Sequence, residues 1–299
     1  MRFAVLASPD SWYARDLIRA AAADHEIVVL PFSAISASIL PTSDLRPLTS
    51  VSTAGANLAD FDATIVRTMP PGSLEQVVFR MDCLARLEAA GGVVINPARA
   101  IEAAVDKYLT TAKLQAAGLL TPRTICCQTA DEAMAAFSQL GGDVVLKPLF
   151  GSEGRGITRL NDEALALRAF KMLAQLGAVL YLQEFVPHEG HDIRLLVIGE
   201  RFLAMRRRNQ LDWRTNISRG ATAEPFEPTD SMIEMARRAA AAVHAPFAGI
   251  DLLPGKDGQL YTIEVNAVPG WMGLAKALKV DVARTVLDFV AAEVRRVRG

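Results

Sequence analysis

Three oxygen-bearing side chains late in the chain carry the clearest chemistry. Asp251 sits in FAGIDLL, and Glu264 and Asn266 sit in YTIEVNAVPG. Residues two apart in a strand face the same side, so Glu264 and Asn266 project together. Asp251, on the preceding strand of a hairpin, reaches that face. Two carboxylates and an amide oxygen on an otherwise apolar sheet repel one another unless a hard cation stands between them. Mg²⁺ takes such oxygens and keeps phosphate oxygens in its shell. The plain alternative is an exposed polar strand face.

Lys147 ends the apolar run DVVLKP and is followed by Gly151, Ser152, Glu153, Gly154, Arg155 and Gly156. Glycines let backbone N–H groups approach phosphate oxygens closely, and the lysine adds a point charge. The lysine precedes the glycines, so this is not a Walker loop. A hairpin with surface glycines is the competing reading. In YLQEFVP, with Asp192 beyond, a strand ends in exposed backbone and carboxylates. Such an end can hold an adenine edge and a ribose, or be an ordinary strand end. Arg206, Arg207, Arg208, Arg214 and Arg219 put five arginines inside 14 residues, with Asn216 and Gly220 among them. Bidentate grip on phosphate or carboxylate suits this run better than nucleic acid, because Trp213 is its one interleaved aromatic. A solvated loop is the third option.

These groups must be positioned by an alternating chain. The pattern predicts strands over 2–7, 26–30, 62–66 and 92–95, with helices over 12–23 and about 73–90. This βαβ rhythm implies a parallel sheet covered on both faces. The Ser/Thr/Pro-rich stretch 31–60 reads as a long surface loop with short strand pieces. Ala7-Ser8-Pro9-Asp10 after the first strand is not GxGxxG, which disfavours a dinucleotide there. After Asn96-Pro97 the pattern changes to helices over 98–117, a strand at 123–127, a helix at 130–140 and a strand at 143–148. A helix at 162–176, a strand at 178–183 and a hairpin over 191–207 turning at Gly199-Glu200 follow. The chain continues with a helix at 230–243, strands at 247–253 and 260–266 joined by PGKDG, and an amphipathic helix over 281–297. Antiparallel pairing dominates this part.

Composition bounds the rest. Of 299 residues, 32 are basic and 33 acidic, a net charge of −1, which argues against a globally basic nucleic-acid binder. Hydrophobic residues make up 51% and charged ones 22%, the balance of a globular chain with a sizeable core. No apolar run approaches the ~18 residues of a membrane span. The N-terminus reads as a strand, not a signal peptide. Cys83, Cys126 and Cys127 fit neither a disulfide framework nor a metal spacing, and the four histidines form no HExxH pattern. A cytoplasmic protein with no membrane or nucleic-acid partner is the expectation.

Taken in order, these elements resemble the ATP-grasp superfamily, and within it the RimK-like α-L-glutamate ligases. The matching stretches are VDKYLTTAKLQAAGLLTPRT, DVVLKPLFGSEGRGI, YLQEFVPHEGHDIRLLVIG, DWRTNISRGA and FAGIDLL with YTIEVNAVPGWMG, spanning residues 105–273. Residues before 97 match only through IVRTMP and VINPA. The resemblance implies an α/β fold in three parts. These are a parallel pre-ATP-grasp domain over 1–97, an ATP-grasp small (lid) subdomain over 98–186, and a large subdomain over 187–299 with antiparallel sheets and the metal site. It implies Lys107 and Lys147 on nucleotide phosphates, and a lid built on Gly151, Ser152, Gly154 and Gly156. Gln183, Glu184, Phe185, Val186 and Asp192 would line the adenine and ribose pocket. Asp251, Glu264 and Asn266 would hold two Mg²⁺ ions, or Mn²⁺ in their place. Arg207, Arg214 and Asn216 would face the γ-phosphate and an acyl phosphate, with the register among Arg206–Arg208 open by a residue. Arg67, Arg219 and Gly220 would stand at the acceptor site. The implied activity is ATP-dependent amide formation adding L-glutamate to a small-molecule carboxylate, the arginine run being closest to the branch acting on tetrahydromethanopterin or methanofuran. Glutamylation of a protein C-terminus and a non-catalytic ATP-binding protein are the alternatives. The family's habit of assembling into homo-oligomers is compatible with the apolar terminal helix.

Overall fold

A computed structural model describes residues 1–40, 48–151 and 154–299. The chain opens with β1 (Arg2–Leu6), α1 (Trp12–Ala21) and β2 (Glu26–Leu30). Next come three antiparallel strands, β3 (Ile35–Leu40), β4 (Leu48–Thr53) and β5 (Ala56–Asn57). β6 (Ala63–Val66), α2 (Leu74–Ala89) and β7 (Val93–Ile95) complete the region. The order β2-β1-β6-β7 is parallel throughout. Alternation along β1 assigns its two faces. Phe3 and Val5 pack toward α1, and Ala4 and Leu6 toward α2 and the small sheet. Ser73 starts α2 with a capping box closed by Gln76.

The strand pieces expected within 31–60 pair into a small sheet whose described part packs on the core and is not a surface loop, and residues 41–47 lie outside the described residues. The sheet's strands read ISASIL and LTSVST. Serines and threonines there occupy strand positions, and Ile35 and Val51 bury against the core. Small polar residues masked a period-2 pattern that Thr, Ile and Val favour.

α3 (Ala98–Val105) and α4 (Lys107–Ala116) lead into a second unit. It contains β8 (Thr124–Cys127), α5 (Ala130–Gln139), β9 (Val144–Lys147), β10 (Thr158–Leu160), α6 (Glu163–Gln175) and β11 (Leu180–Glu184). Its antiparallel sheet, ordered β10-β9-β11-β8, carries a separate core of Phe137, Leu146, Phe170 and Leu182 under α5 and α6.

The third sheet, β14-β13-β12-β15-β16, is antiparallel. It is built from β12 (His191–Ile198), β13 (Arg201–Arg208), β14 (Thr222–Pro225), β15 (Phe247–Pro254) and β16 (Leu260–Asn266), with α7 (Asp230–Ala242) packed on it. α8 (Met272–Leu278) follows, and α9 (Val282–Arg298) returns to lie against α1. Asn96 fastens the first sheet to this one. Its Nδ2 donates to the carbonyls of Phe247 and Ala267, and its Oδ1 accepts the Phe247 N–H. Those contacts fix the start of β15 and the exit of β16, between which the acidic pair lies. Among the described residues no helix is long and apolar enough to cross a membrane.

Candidate active site

Asp251 and Glu264 are direct cross-strand partners in the β15–β16 pair. Just beyond them the register slips. Leu252 pairs with Thr262, which leaves Ile263 as the extra residue of a β-bulge. The bulge turns the local strand so that the consecutive residues Ile263 and Glu264 both border one cavity between the second and third sheets. Lys107, Lys147, Asp251, Arg207, Arg214 and Asn216 border the same cavity.

The second unit supplies the cationic wall. Lys147, at the end of β9, donates from Nζ to Gln183 Oε1 on β11 at 2.5 Å. Burial pushes its ammonium down to about 8, and Glu264 and Asp251 counteract this in part. Lys107 is lowered in the same direction by burial, and its Nζ donates to the Gly151 carbonyl at 2.8 Å. That bond ties the start of α4 to the glycine-rich loop. Gln183, Glu184, Phe185 and Val186 also line the cavity. The Glu184 carboxylate is held by the Arg123 backbone N–H at 2.8 Å and by its Nε at 2.6 Å. Arg159 stacks 3.5 Å over the Phe185 ring, and Trp213 meets that ring edge-on.

The third sheet supplies a row of opposite charges. Asp192 pairs with Arg207 across β12–β13, and Arg194 with Asp251 across β12–β15. Arg207 bridges Asp192 and Asp251, reaching Asp251 Oδ2 at 2.8 Å. Thr215 donates to Asp192 Oδ2 at 2.5 Å. Burial pushes the Asp251 carboxyl up, but Arg194 and Arg207 more than reverse it and hold it down to about 2. Burial likewise opposes the Arg207 charge, and Asp251 and Asp192 raise it well above an ordinary guanidinium. Of Arg206–Arg208 it is Arg207 that borders the cavity, while Arg206 lies over Phe226 on the other side of β13. This follows from strand alternation.

Other sequence-derived candidates stand elsewhere. Asn266 pairs with Gly249 and turns its Oδ1 to the Val268 N–H at 2.8 Å, outside the cavity lining. Arg67 is 6% exposed and enclosed by Tyr13, Phe247 and Trp271. One of its nitrogens donates to the Pro269 carbonyl at 2.7 Å, whereas Nε and Nη1 are buried without a partner. Burial lowers it to about 10. Arg214 is paired with Asp212, and Arg219 reaches the Gly154 carbonyl at 3.3 Å. Gly151 and Gly154 border the cavity, Gly156 packs on Pro148, and Gly220 ends the Ile217–Arg219 turn. Ser152 lies outside the described residues. Arg194 and Thr215 were not singled out from sequence, and Tyr181 entered only as the first residue of YLQEFVP. The spacing of Asp192 and Arg194, two apart on one strand face, is the signal that points to the first.

The donors present suit a hard cation. Asp251 and Glu264 offer carboxylate oxygens into one cavity beside two lysines. Among the described residues no group of three or more His, Cys, Asp or Glu side chains forms a metal cluster. Two protein carboxylates with phosphate oxygens completing the shell is the arrangement Mg²⁺ favours.

The site thus sets a sheet-borne lysine and a sheet-borne carboxylate pair around one cavity. Solved ATP-grasp structures share the fold. The ligase PsnB complexed with minimal precursor superposes with a TM-score of 0.75 at 24% identity, covering 97% of this chain and 98% of its own. The D-cycloserine synthetase DcsG gives 0.71 at 18% identity over 99% of this chain and 100% of its own. The model of the RimK-like ATP-grasp domain matches residues 104–290, and the chain belongs to that family. A tetrahydromethanopterin:α-L-glutamate ligase of Methanosarcina acetivorans is 31% identical over 95% of this chain and 97% of the relative. A glutamate–LysW ligase, ArgX, of Sulfurisphaera tokodaii is 30% identical over 78% of this chain and 83% of the relative. A probable α-L-glutamate ligase of Xanthomonas euvesicatoria is 33% identical over 82% and 83%. The protein is accordingly an ATP-dependent carboxylate–amine ligase of the ADP-forming kind.

Proposed function

We propose that the protein joins the amine of L-glutamate to a small-molecule carboxylate acceptor, using ATP and Mg²⁺ and passing through an acyl phosphate. The convergence of Lys107, Lys147, Arg207, Arg214, Asp251 and Glu264 on one cavity carries this reading. The acceptor carboxylate attacks the γ-phosphorus and ADP leaves. The deprotonated amine then attacks the acyl carbon and phosphate leaves. Phosphorylation is needed because a bare carboxylate has no adequate leaving group.

In this reading Lys147 and Lys107 neutralise nucleotide phosphates, and Gln183 to Val186 hold the base and ribose. Arg207, Arg214 and Asn216 face the transferred phosphoryl group. The chain's contribution is placement and charge, with no protein nucleophile. Asp251 and Glu264 hold the cations, with Asn266 as a third ligand once its turn bond opens. Two Mg²⁺ ions, or Mn²⁺ in their place, supply charge neutralisation when bound. The loops at 149–156 and 209–221 exclude water, which would otherwise hydrolyse the acyl phosphate. The two unpartnered nitrogens of Arg67, Nε and Nη1, support its place at the acceptor side, since a substrate carboxylate would satisfy them. Arg219 and Gly220 sit on the loop that would cover that side.

For the acceptor, three relatives named as tetrahydromethanopterin:α-L-glutamate ligases favour a pterin-type cofactor. The LysW-directed relatives keep a protein acceptor as the second reading. A mass-spectrometric screen of both acceptor classes with ATP, Mg²⁺ and glutamate tests this. A gain of one glutamyl unit on a pterin-type acceptor is the expected result. ATP-dependent gain only on a protein tail overturns the acceptor assignment, and no gain on any acceptor overturns the glutamate ligase reading.

A further inference from the structure

The Asp251 carboxylate accepts two guanidinium N–H bonds and makes a further ion-pair contact. Arg194 donates from Nε to Oδ1 at 2.6 Å and from Nη2 to Oδ2 at 2.7 Å, and Arg207 adds Nη2 to Oδ2 at 2.8 Å. Each carboxylate oxygen offers two in-plane lone pairs. Oδ2 meets both guanidinium groups, whereas Oδ1 takes one bond and keeps a lone pair. Glu264, its partner across the strand pair, has no hydrogen bond or ion pair with a described residue.

Arg194 and Arg207 reach Asp251 from neighbouring positions on one face of the sheet. Arg207 borders the cavity, and Arg194 does not. The Arg194 stem lies over Gly249, where a Cβ would come 3.7 Å from Nε and 3.2 Å from Pro269 Cβ. The fork is 13% exposed and the carboxylate 6%, so neither is loosened by solvent. A planar fork on a planar carboxylate fixes the plane of both groups, which a lysine ammonium cannot do.

We propose that Arg194 is a positioning residue of the ligase reaction. From beside the cavity it locks the plane of Asp251, leaves a lone pair on Oδ1 for a divalent cation, and offsets the carboxylate's charge so that the cation is held but not over-bound. The inference rests on the ligase reading and deepens its metal site. A buried arginine kept only for packing would pair with any acceptor. Here it takes both oxygens of the one aspartate that faces Glu264.

The test is calorimetric titration of the full-length protein with Mg²⁺ in the presence of ADP, read beside kcat with the acceptor found in the screen. Arg194→Met removes both fork and charge. Its half-saturating Mg²⁺ concentration should fall severalfold, because less positive charge opposes the cation, while kcat falls at least tenfold. Arg194→Lys keeps the charge and loses the fork. It should bind Mg²⁺ within twofold of the parent and still lose kcat with little change in the KM for ATP. Opposite movements of affinity and kcat in Arg194→Met separate positioning from damage. Should that variant not fold, the kcat loss at unchanged Mg²⁺ affinity in Arg194→Lys decides alone. Parent-like kcat in the folded variants overturns the proposal, as does a kcat loss that only tracks lost folded protein. A parent that binds Mg²⁺ with ADP but transfers no glutamate sinks the ligase reading instead, and leaves the metal titrations interpretable.

Discussion

Lys147 Nζ lies 2.5 Å from Gln183 Oε1, so the ammonium deepest in the cavity is held by a neutral amide and not by a carboxylate. Burial then dominates and lowers it to about 8. The sign of the consequence is fixed. Phosphate binds the charged form, so a bound nucleotide raises this value and the protein takes up a proton on binding near pH 8. At a pH equal to the free value, uptake from this group approaches about half a proton. Titrations of ADP in buffers of different ionisation enthalpy should show that uptake at pH 8 and its loss below about pH 6.5. Lys147→Ala should remove it and weaken ADP at least tenfold. The free protein's stability should also rise with pH between about 8 and the unfolded lysine value near 10.4, because the folded state binds fewer protons there.

Glu264 faces Asp251 but makes no hydrogen bond or ion pair with a described residue. Its charge is thus dispensable for folding and available to a cation. Glu264→Gln keeps the shape and removes the charge. Turnover should fall at least ~100-fold, the scale on which preorganised charge acts in a transition state. The thermal midpoint should stay within experimental error. Phosphate release and a circular-dichroism melt measure the two, and a fully active variant would remove Glu264 from the metal site.

Asn96 is 1% exposed and satisfies one N–H and two carbonyls of Phe247 and Ala267. Asn96→Ala leaves all three buried without partners. At roughly 1–3 kcal/mol per orphaned group, the loss should be about 3 kcal/mol or more. A shift in the urea midpoint at unchanged slope reads it. Because those contacts anchor both ends of the β15–β16 pair, kcat should fall even under conditions where the variant is fully folded.

The acidic pair was legible because its signals are local. PGKDG turns a hairpin, and alternation places Asp251 and Glu264 on one face. The bulge at Ile263 was not legible, since a backbone irregularity leaves no trace in side-chain pattern. Its effect was to bring Ile263 beside Glu264 at the cavity, while Asn266, in regular register with Glu264, is drawn away by its bond to the Val268 N–H. Arg194 escaped notice because its partner is 57 residues away and the β12–β15 register must be known to join them. Arg67 was placed at the acceptor site by resemblance, and nothing local in the sequence shows the three aromatic rings that enclose it. The small sheet over 35–57 was hidden because serines and threonines sit at strand positions where apolar residues were sought.

Gly154 joins the two loops that cover the cavity. Its φ is +70°, a conformation that costs any other L-residue, and Arg219 donates to its carbonyl at 3.3 Å. A Cβ built there would stand 2.5 Å from Asn216 Oδ1, too close for both to remain in place. Gly154→Ala should therefore push the Asn216 loop away from the glycine-rich loop and open the cavity to water. Global stability should drop by only about 1 kcal/mol, the usual scale for alanine at a left-handed position. The larger effect should be on coupling. ATP hydrolysis without acceptor should rise relative to amide formation, because an acyl or nucleotide phosphate is no longer shielded. Phosphate release and product formation, measured together, give the ratio. An unchanged ratio with parent-like kcat would show that the two loops need not meet for the reaction to proceed.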